Sequence, residues 1–411
     1  MLPKLKSTTM RILILANKMP YPAKDGGAIA TLSMARAFAQ LGNKVTLLAM
    51  NTHKHNFDIE KIPEEITSEI EFHSVYVDTS IKPPEMLTNL VFSRLPYNAK
   101  RFISATFKQR LVKLLRENQY DIVQLEGLYL YPYIGILRKH FSGPVAFRAH
   151  NIEHEIWRRT VTNQKQGLKR MYMNVLTRRL AKFEVHSLNK FDLLVPITER
   201  DGHIFEFLGN DSPKCVAPVG IDLTKYEFHL PDTIKPEIAF IGSLDWMPNQ
   251  EGIEWFLDNV WPLVIAKNPN IKFHIAGRNA PPRYEHKIHR KNVVYHGEVD
   301  NALQYLTNFT YMIVPLLSGS GMRVKIVEGM ATGRVVFTTT VGAEGLNATN
   351  KENIFIDDIP EKMASSITNV LNNKEKTIEI AKASRRFIEE NFNNLTIAQK
   401  LISFYESRLS E

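Results

Sequence analysis

MIVPLLSGSGMRVKIVEGMATGRVVFTTTVGAEG, Met312 to Gly345, is the stretch that decides the fold. Its apolar opening, Met312 to Leu317, predicts a buried strand bounded by small residues. Ser318-Gly319-Ser320-Gly321 is a turn, after which Val324, Val327 and Ala331 share one face of a helix. Gly333 stops that helix, and Val335 to Thr339 begins another β-rich run. Strand, glycine turn, helix, strand is a βαβ unit of a parallel sheet.

The turn carries the chemistry. Gly319 and Gly321 let backbone approach a ligand closely, and the helix that follows offers unpaired N–H groups to an anion. Arg323 and Lys325 put two cations at that helix start, where they oppose the macrodipole unless an anion sits between them. Glu328 lies one turn deeper. Two readings stand on these residues alone. One is a diphosphate cradle with a carboxylate near a sugar hydroxyl; the other is a βα turn with a solvated charged helix face.

The whole chain sets bounds. Its 411 residues exceed one ordinary core and predict two domains of about 200 residues each. With 44% apolar and 23% charged residues it has the composition of a globular enzyme. A lone cysteine, Cys215, excludes a disulfide framework or cysteine-rich metal site and fits a reducing cytoplasm. No apolar run approaches the roughly 20 residues that span a bilayer. Residues 1–10 lack the apolar core of a secretory signal and are read as a basic tail.

The net charge of +9 is unevenly spread. From Trp157 to Lys182 stand Arg158, Arg159, Lys165, Lys169, Arg170, Arg178, Arg179 and Lys182, with no acid among them. Leu168, Met171, Val175, Leu176 and Leu180 interleave at helical spacing. A basic amphipathic helix of this kind suits an anionic membrane surface. A long surface helix packed by its apolar face is the plainer alternative, and no nucleic-acid-binding motif accompanies it.

The opening pattern recurs along the chain. Ile12 to Ala16 is a strand, Gly26-Gly27 introduces a helix with Ile29, Leu32, Ala35 and Ala39 on its apolar face, and Val45 to Ala49 is the next strand. The GxGxxG of a dinucleotide enzyme is missing there. Further strands are Ile70 to Val77, Asp121 to Leu125, Val145 to Arg148 and Phe191 to Val195. Glu126, His150, Asn151 and Glu153 follow two of these strands at their carboxyl ends. After a proline-rich stretch, Ser212 to Pro236, the alternation restarts with Ile238 to Ile241, a helix Gln250 to Val264, Lys272 to Ala276 and Val293 to His296. A last helix, Thr396 to Leu409, carries Ile397, Leu401, Phe404 and Tyr405. Strands alternating with helices predict α/β doubly wound parallel sheets. Two such domains place a cleft between facing sheet edges.

Taken together, Gly26-Gly27, His150-Asn151, PVGID at Pro218 to Asp222, GSLDWMPN from Gly242 and GSGMRVKIVEGMATG from Gly319 make the chain resemble the retaining GT-B glycosyltransferases of family 4. These are also called glycosyl transferases group 1, and the likeness is to a bacterial polysaccharide subgroup with a GSGxRxKxxE pattern. The resemblance implies two Rossmann-like domains facing a central cleft: an acceptor-side domain at 11–217 and a nucleotide-sugar domain at 218–395. A helix at 396–411 would pack back on the first domain. It implies a hexosyltransferase-type enzyme that moves a sugar from a UDP- or GDP-linked donor, with retention, to a glycan or polyprenyl-diphosphate-linked acceptor for exopolysaccharide, capsule or lipopolysaccharide.

The resemblance also assigns residues. Glu328 matches the second of the family's two glutamates, which holds the ribose; the first falls on Ser320, which brings no charge. The family's GR…KG pair is absent at Gly242-Ser243, so Arg323 and Lys325 would take over the diphosphate. His150 matches the active-site histidine. Gly26, Gly27, Gly242, Ser243, Gly319, Ser320, Gly321, Met322 and Glu344 are donor-side candidates, with capping of the next helix the alternative for Glu344. Arg278, Gly297 and Val299 are candidates for reading the base, and Glu126, Asn151 and Glu153 for binding the acceptor. No DxD motif or metal-ligand cluster is present, so neither a cofactor nor Mg²⁺ or Mn²⁺ is expected. The expected location is the cytoplasm, with the membrane's inner face open as a contact. A nucleotide-sugar 2-epimerase and a non-catalytic nucleotide-sugar binder are the competing readings.

Overall fold

The computed structural model describes residues 9–162, 166–230, 234–319 and 322–409, without the side chains of 282 and 283. The chain divides into two compact units. Unit 1 comprises Met1–Gly220 with Asn394–Glu411, and unit 2 comprises Ile221–Asn393.

Unit 1 is built on β1 (Arg11–Ala16), β2 (Lys44–Thr52), β3 (Ile70–Val77), β4 (Ile122–Glu126), β5 (Val145–Ala149) and β6 (Leu193–Pro196). All pairings are parallel, in the order β3-β2-β1-β4-β5-β6. Parallel strands covered on both faces need apolar residues throughout. In β1, Ile12 and Ile14 enter one core while Leu13 and Leu15 enter the other. Helix α1 (Gly26–Gln40) buries Leu32 and Ala35 as its spacing predicts, and also Ala30, Met34, Ala37 and Phe38. The wider burial has a cause: the C-terminal helix Asn394–Leu409 packs on α1 and brings Ile397, Leu401 and Tyr405 into the same core. Met10, at the end of the expected tail, is buried and donates its N–H to Asn43 Oδ1 at 3.1 Å.

The basic segment is not one helix. It forms part of α3 (Glu153–Thr162) and of α4 (Leu168–Ser187), and Lys165 lies outside the described residues. Of its expected apolar face, Leu176 and Leu180 are buried and Leu168 and Met171 are exposed. A helix absent from the sequence reading, α2 (Pro83–Phe92), buries only Asn89. Its apolar residues have no core periodicity because they do not enter the core.

Unit 2 repeats the plan with β7 (Glu237–Ile241), β8 (Lys272–Ala276), β9 (Val293–Gly297), β10 (Tyr311–Val314), β11 (Val335–Thr338) and β12 (Phe355–Ile356). The order β12-β11-β10-β7-β8-β9, again parallel, is the same winding as in unit 1. Strand β12, two residues long, carries too little pattern to read from sequence. Helix α5 (Met247–Trp255) runs on through a π turn, Phe256–Val260, to Lys267. Pro262, in the first turn of the last segment, has no N–H for the regular ladder. Helix α6 (Val324–Ala331) follows β10 and buries Ile326, Val327, Met330 and Ala331, while Val324 is half-buried. Helix α7 (Lys374–Asn391) packs over it.

One contact fixes the turn after β10. A Cβ at Gly252 of α5 would lie 2.3 Å from the Pro315 carbonyl oxygen, a backbone atom that cannot yield. Nearby, Ser318 Oγ donates to Glu251 Oε2 at 2.8 Å. Gly252→Ala should therefore push α5 off this turn and cost about 1–3 kcal/mol. The expected result is a thermal midpoint several degrees lower; an unchanged midpoint would show that α5 shifts freely here.

Candidate functional site

Both sheets reverse their winding once, between β1 and β4 and between β7 and β10. Open α/β sheets bind ligands at the strand carboxyl ends at such a point. The candidate residues gather there in each unit.

In unit 1 the register pairs Ala16 of β1 with Glu126 of β4 across the reversal. Glu126, expected to meet an acceptor, is instead enclosed at 2% exposure. Its Oε2 accepts from Thr31 Oγ1 (3.1 Å), Arg148 Nη1 (3.2 Å) and His150 Nε2 (2.5 Å), and its Oε1 accepts from Gln124. Burial alone would raise its pKa. The Arg148 charge and the His150 bond outweigh that and hold the carboxyl at about 2. An ionised acceptor fixes the proton of His150 on Nε2 and leaves Nδ1 as the other ring nitrogen. Glu126 is thus a positioning residue for His150. Arg148 is fully buried and also donates to the Ala30 carbonyl at 2.9 Å, so the cluster ties β4 and β5 to α1. Tyr405 of the C-terminal helix donates to Gln124 Oε1 at 2.6 Å and extends the network.

The loop between β1 and α1 adds a second group. Asp25 caps α1, accepting from the Ala28 N–H at 3.0 Å, and pairs with Lys18. Burial opposes ionisation of Asp25, but the Lys18 charge and these hydrogen bonds hold its pKa below the ordinary value. Gly26 and Gly27 open α1, and a Cβ at Gly27 would stand 3.0 Å from Lys18 Nζ. Asn151 is half-buried between β5 and α3.

Glu153, at the start of α3, accepts from Tyr129 OH at 2.8 Å. Burial, reinforced by the charge of Glu184, pushes its carboxyl up to about 7 against the Tyr129 bond and Lys18. Glu184 is itself buried and accepts from the N–H groups of Glu153 (2.9 Å) and His154 (3.1 Å) and from His154 Nδ1 (2.6 Å).

In unit 2 the reversal is bridged by Lys325. From the first turn of α6, its Nζ donates to the Ile241 carbonyl at the end of β7 (3.2 Å) and to Asn249 Oδ1 (3.0 Å). It also lies 4.5 Å from the centroid of the Phe240 ring. A Cβ at Gly242 would stand 2.7 Å from this nitrogen, so the glycine makes the room. Burial, with the Arg323 charge beside it, pushes the Lys325 ammonium down to about 7, against the pull of Glu328. Arg323 is buried at the N-cap position of α6, with its guanidinium 6.0 Å from the centroid of the Trp246 ring. Gly319 has φ +112°, a conformation that favours glycine, and a Cβ there would meet both Arg323 and Trp246. Glu328 accepts from Tyr226 OH at 2.8 Å. Burial pushes the Glu328 carboxyl up, although the Tyr226 bond and Lys325 oppose the shift.

The remaining donor-side candidates form a neighbouring rim. Ser243 Oγ donates to Asp245 Oδ1 at 2.5 Å and accepts from Arg278 Nε at 3.4 Å. Gly277 N donates to the Gly297 carbonyl at 2.8 Å, and Val299 is half-buried just beyond. Met322 is buried beside Arg323. Glu344 lies in the turn after β11, and the next described helix opens only at Pro360, with Ile359 and not Glu344 at its N-cap. Ser320 and Gly321 lie outside the described residues. Among the described residues no group of three or more His, Cys, Asp or Glu could hold a metal ion, and no helix is long and apolar enough to cross a membrane.

Among the partners that escaped the sequence reading are Arg148, Tyr226, Trp246 and Asn249. The last two sit in the quoted GSLDWMPN stretch, whose position after β7 was their only signal.

Comparison with known proteins gives these clusters a context. Residues 24–225 match the model Glycosyltransferase Family 4, and residues 235–373 match Glycosyl transferases group 1. A 44.6 kDa protein of the cps region of Klebsiella pneumoniae is 25% identical over 395 residues, covering 93% of this chain and 97% of that protein. Among solved structures, sucrose-phosphate synthase from Thermosynechococcus elongatus superposes with TM-score 0.69 at 14% identity, over 98% of this chain and 99% of the other. Anabaena HepE in complex with UDP gives TM-score 0.70 at 15% identity, over 97% and 100%. These two likenesses show the fold.

The Glu153 pair makes a pH prediction. Its folded pKa of about 7 exceeds the ordinary 4.5, so protonation stabilises unit 1 fully below about pH 4.5. That contribution is lost as pH rises through about 7. Between pH 5 and 8 the wild type should lose roughly 1–3 kcal/mol more than Glu153→Gln in urea unfolding. Parallel pH profiles would disprove the shift.

Proposed function

The chain is a glycosyltransferase of the GT-B fold, and from that premise we propose that it transfers a sugar, with retained anomeric configuration, from a nucleoside diphosphate sugar to a glycan or lipid-linked glycan acceptor. The observation that carries the donor assignment is the Arg323–Lys325 pair, with Lys325 spanning the strand reversal of unit 2. Among the described residues the direct contacts of Lys325 are neutral: a carbonyl, an amide oxygen and a ring. Two cations held side by side at a helix N-terminus repel each other, and a diphosphate relieves both the repulsion and the opposed helix dipole. UDP and UDP-glucose complexes of Anabaena HepE support a donor of this class. The cps-region relative supports a role in polysaccharide synthesis.

Breaking the anomeric C–O bond moves negative charge onto the leaving diphosphate. Arg323 and Lys325 then bind the transition state more tightly than the ground state, which is the condition for catalysis. Glu328, oriented by Tyr226, is assigned to the ribose hydroxyls. Arg278 and the backbone from Gly297 to Val299 are assigned to the base. In unit 1, His150 is assigned to a sugar hydroxyl, and the carboxylate of Glu126 keeps its ring in one orientation. Retention implies attack on the face of the departing phosphate, which accepts the acceptor's proton.

Two measurements test the cation pair. Arg323→Ala should lower kcat at least about 100-fold while weakening UDP or GDP binding less than about 10-fold. Equal losses would place the guanidinium in ground-state binding. Because Lys325 is depressed to about 7, it is largely neutral at pH 8, and a bound diphosphate should recharge it. Calorimetry at pH 8 in buffers of different ionisation enthalpy should show uptake approaching one proton per nucleotide, abolished in Lys325→Met. Binding without uptake would remove Lys325 from the diphosphate site.

A further inference from the structure

Unit 1 carries an exposed face that the donor and His150 sites do not use. On α2, Leu87, Val91 and Phe92 are 59%, 71% and 86% exposed, and Ile81 just before it is 66% exposed. On α4, Leu168 and Met171 are 82% and 62% exposed. Isolated apolar residues on a surface are ordinary, but the two helices that carry these are joined. Arg179 of α4 donates to the carbonyls of Asn89 (3.1 Å), Leu90 (2.7 Å) and Ser93 (2.8 Å). It thereby satisfies the last turn of α2 and pins the turn that bears Val91 and Phe92 beside α4.

Helix α4 has two opposite faces. Met173, Leu176, Thr177, Leu180 and Glu184 point into the unit. Leu168, Met171, Val175, Arg178 and Lys182 recur at spacings of three and four and form the outward stripe. That stripe is apolar in its first half and cationic in its second. Between Leu168 and Phe183 there is no acid, and the next one, Glu184, is buried against His154. Exposed Arg94 follows Phe92, so cations flank the apolar turn of α2 as well. Two acids lie at the start of α2: Lys82 pairs with Asp78 at 3.0 Å and stands 3.8 Å from Glu85, the one acid within the helix.

We infer that α2 and the outward stripe of α4 form a docking face for an anionic lipid bilayer, with Leu87, Val91, Phe92, Leu168 and Met171 entering the interface and Arg94, Arg178 and Lys182 meeting the headgroups. Apolar side chains ringed by cations match a surface that offers hydrocarbon below a layer of negative charge. A nucleic acid would leave the apolar group uncovered. The face differs from the basic segment read in the sequence: Arg179 serves the fold, and α2 supplies much of the apolar contact. The inference does not depend on the donor assignment.

The full chain is sedimented with vesicles of phosphatidylcholine alone and with vesicles containing phosphatidylglycerol, at low and high salt. Binding should be at least about 10-fold stronger to the anionic vesicles and should fall with salt. Arg178→Glu with Lys182→Glu should bring it to the level of the neutral vesicles. Val91→Ser with Phe92→Ser should lower it at least about 5-fold at either salt. Thermal midpoint and UDP binding, measured on every variant, should be unchanged because these side chains are exposed, and they separate failure of this face from failure of the donor site. Equal recovery on the two vesicle types would overturn the proposal, as would variants that bind like the wild type. So would light scattering that shows a dimer dissociated by Phe92→Ser, since the face would then belong to a second copy.

Discussion

Where a parallel sheet reverses its winding, the crossover connections on either side diverge, and the carboxyl ends of two central strands are left without a helix over them. Backbone carbonyls and the side chains that follow them must find partners there. In unit 2 the end of β7 is met by Lys325, whose ammonium takes the Ile241 carbonyl from the far side of the reversal. In unit 1 the end of β4 is Glu126, whose carboxylate gathers groups from α1, β4, β5 and the residue just past β5. The same winding therefore creates the same demand twice, and the two halves answer it with opposite charges.

The answers differ in how complete they are. Glu126 is ionised, buried and matched directly by the Arg148 guanidinium, with Thr31, Gln124 and His150 completing its shell. A buried pair of this quality adds little net stability. Losing one partner, however, strands the other at a cost of about 3–5 kcal/mol. The result is rigidity at His150. Among the described residues the direct contacts of Lys325 are neutral, and burial, with the Arg323 charge beside it, lowers its pKa against the pull of Glu328. A rigid, internally neutral cluster suits orientation of a ring. An under-compensated cation suits binding of an anion.

The parallel α/β plan and most of its strands were legible because buried parallel strands are apolar throughout and because the glycine turns after β7 and β10 punctuate them; the strand order was not, since it depends on pairings between distant segments. The candidate site was legible only in part. Arg323, Lys325 and Glu328 lie within six residues of one another and could be weighed together. Glu126 could not, since its meaning depends on Thr31, 95 residues away, and on Arg148 in the next strand. Likewise Tyr226, 102 residues from Glu328, leaves no local pattern. The apolar residues of α2 were passed over for the complementary reason. Periodicity detects what a core selects, and these residues lie outside the core.

The charge of the glycine turn gives the serine at 320 a physical meaning. From Leu316 to Val327 the sequence contains Arg323 and Lys325 and no acid. A glutamate at position 320, as in the family pattern, would stand three residues from Arg323 and offset part of that charge. Serine leaves it whole. Glu328 is engaged by the Tyr226 hydroxyl, and burial raises its pKa. Arg323 and Lys325 stand together at this helix start, where they repel each other and oppose the helix dipole. Under the proposed donor assignment, a serine at this position leaves the compensation of that charge to the ligand, and the absence of a GR…KG pair at Gly242-Ser243 leaves Arg323 and Lys325 to meet the diphosphate.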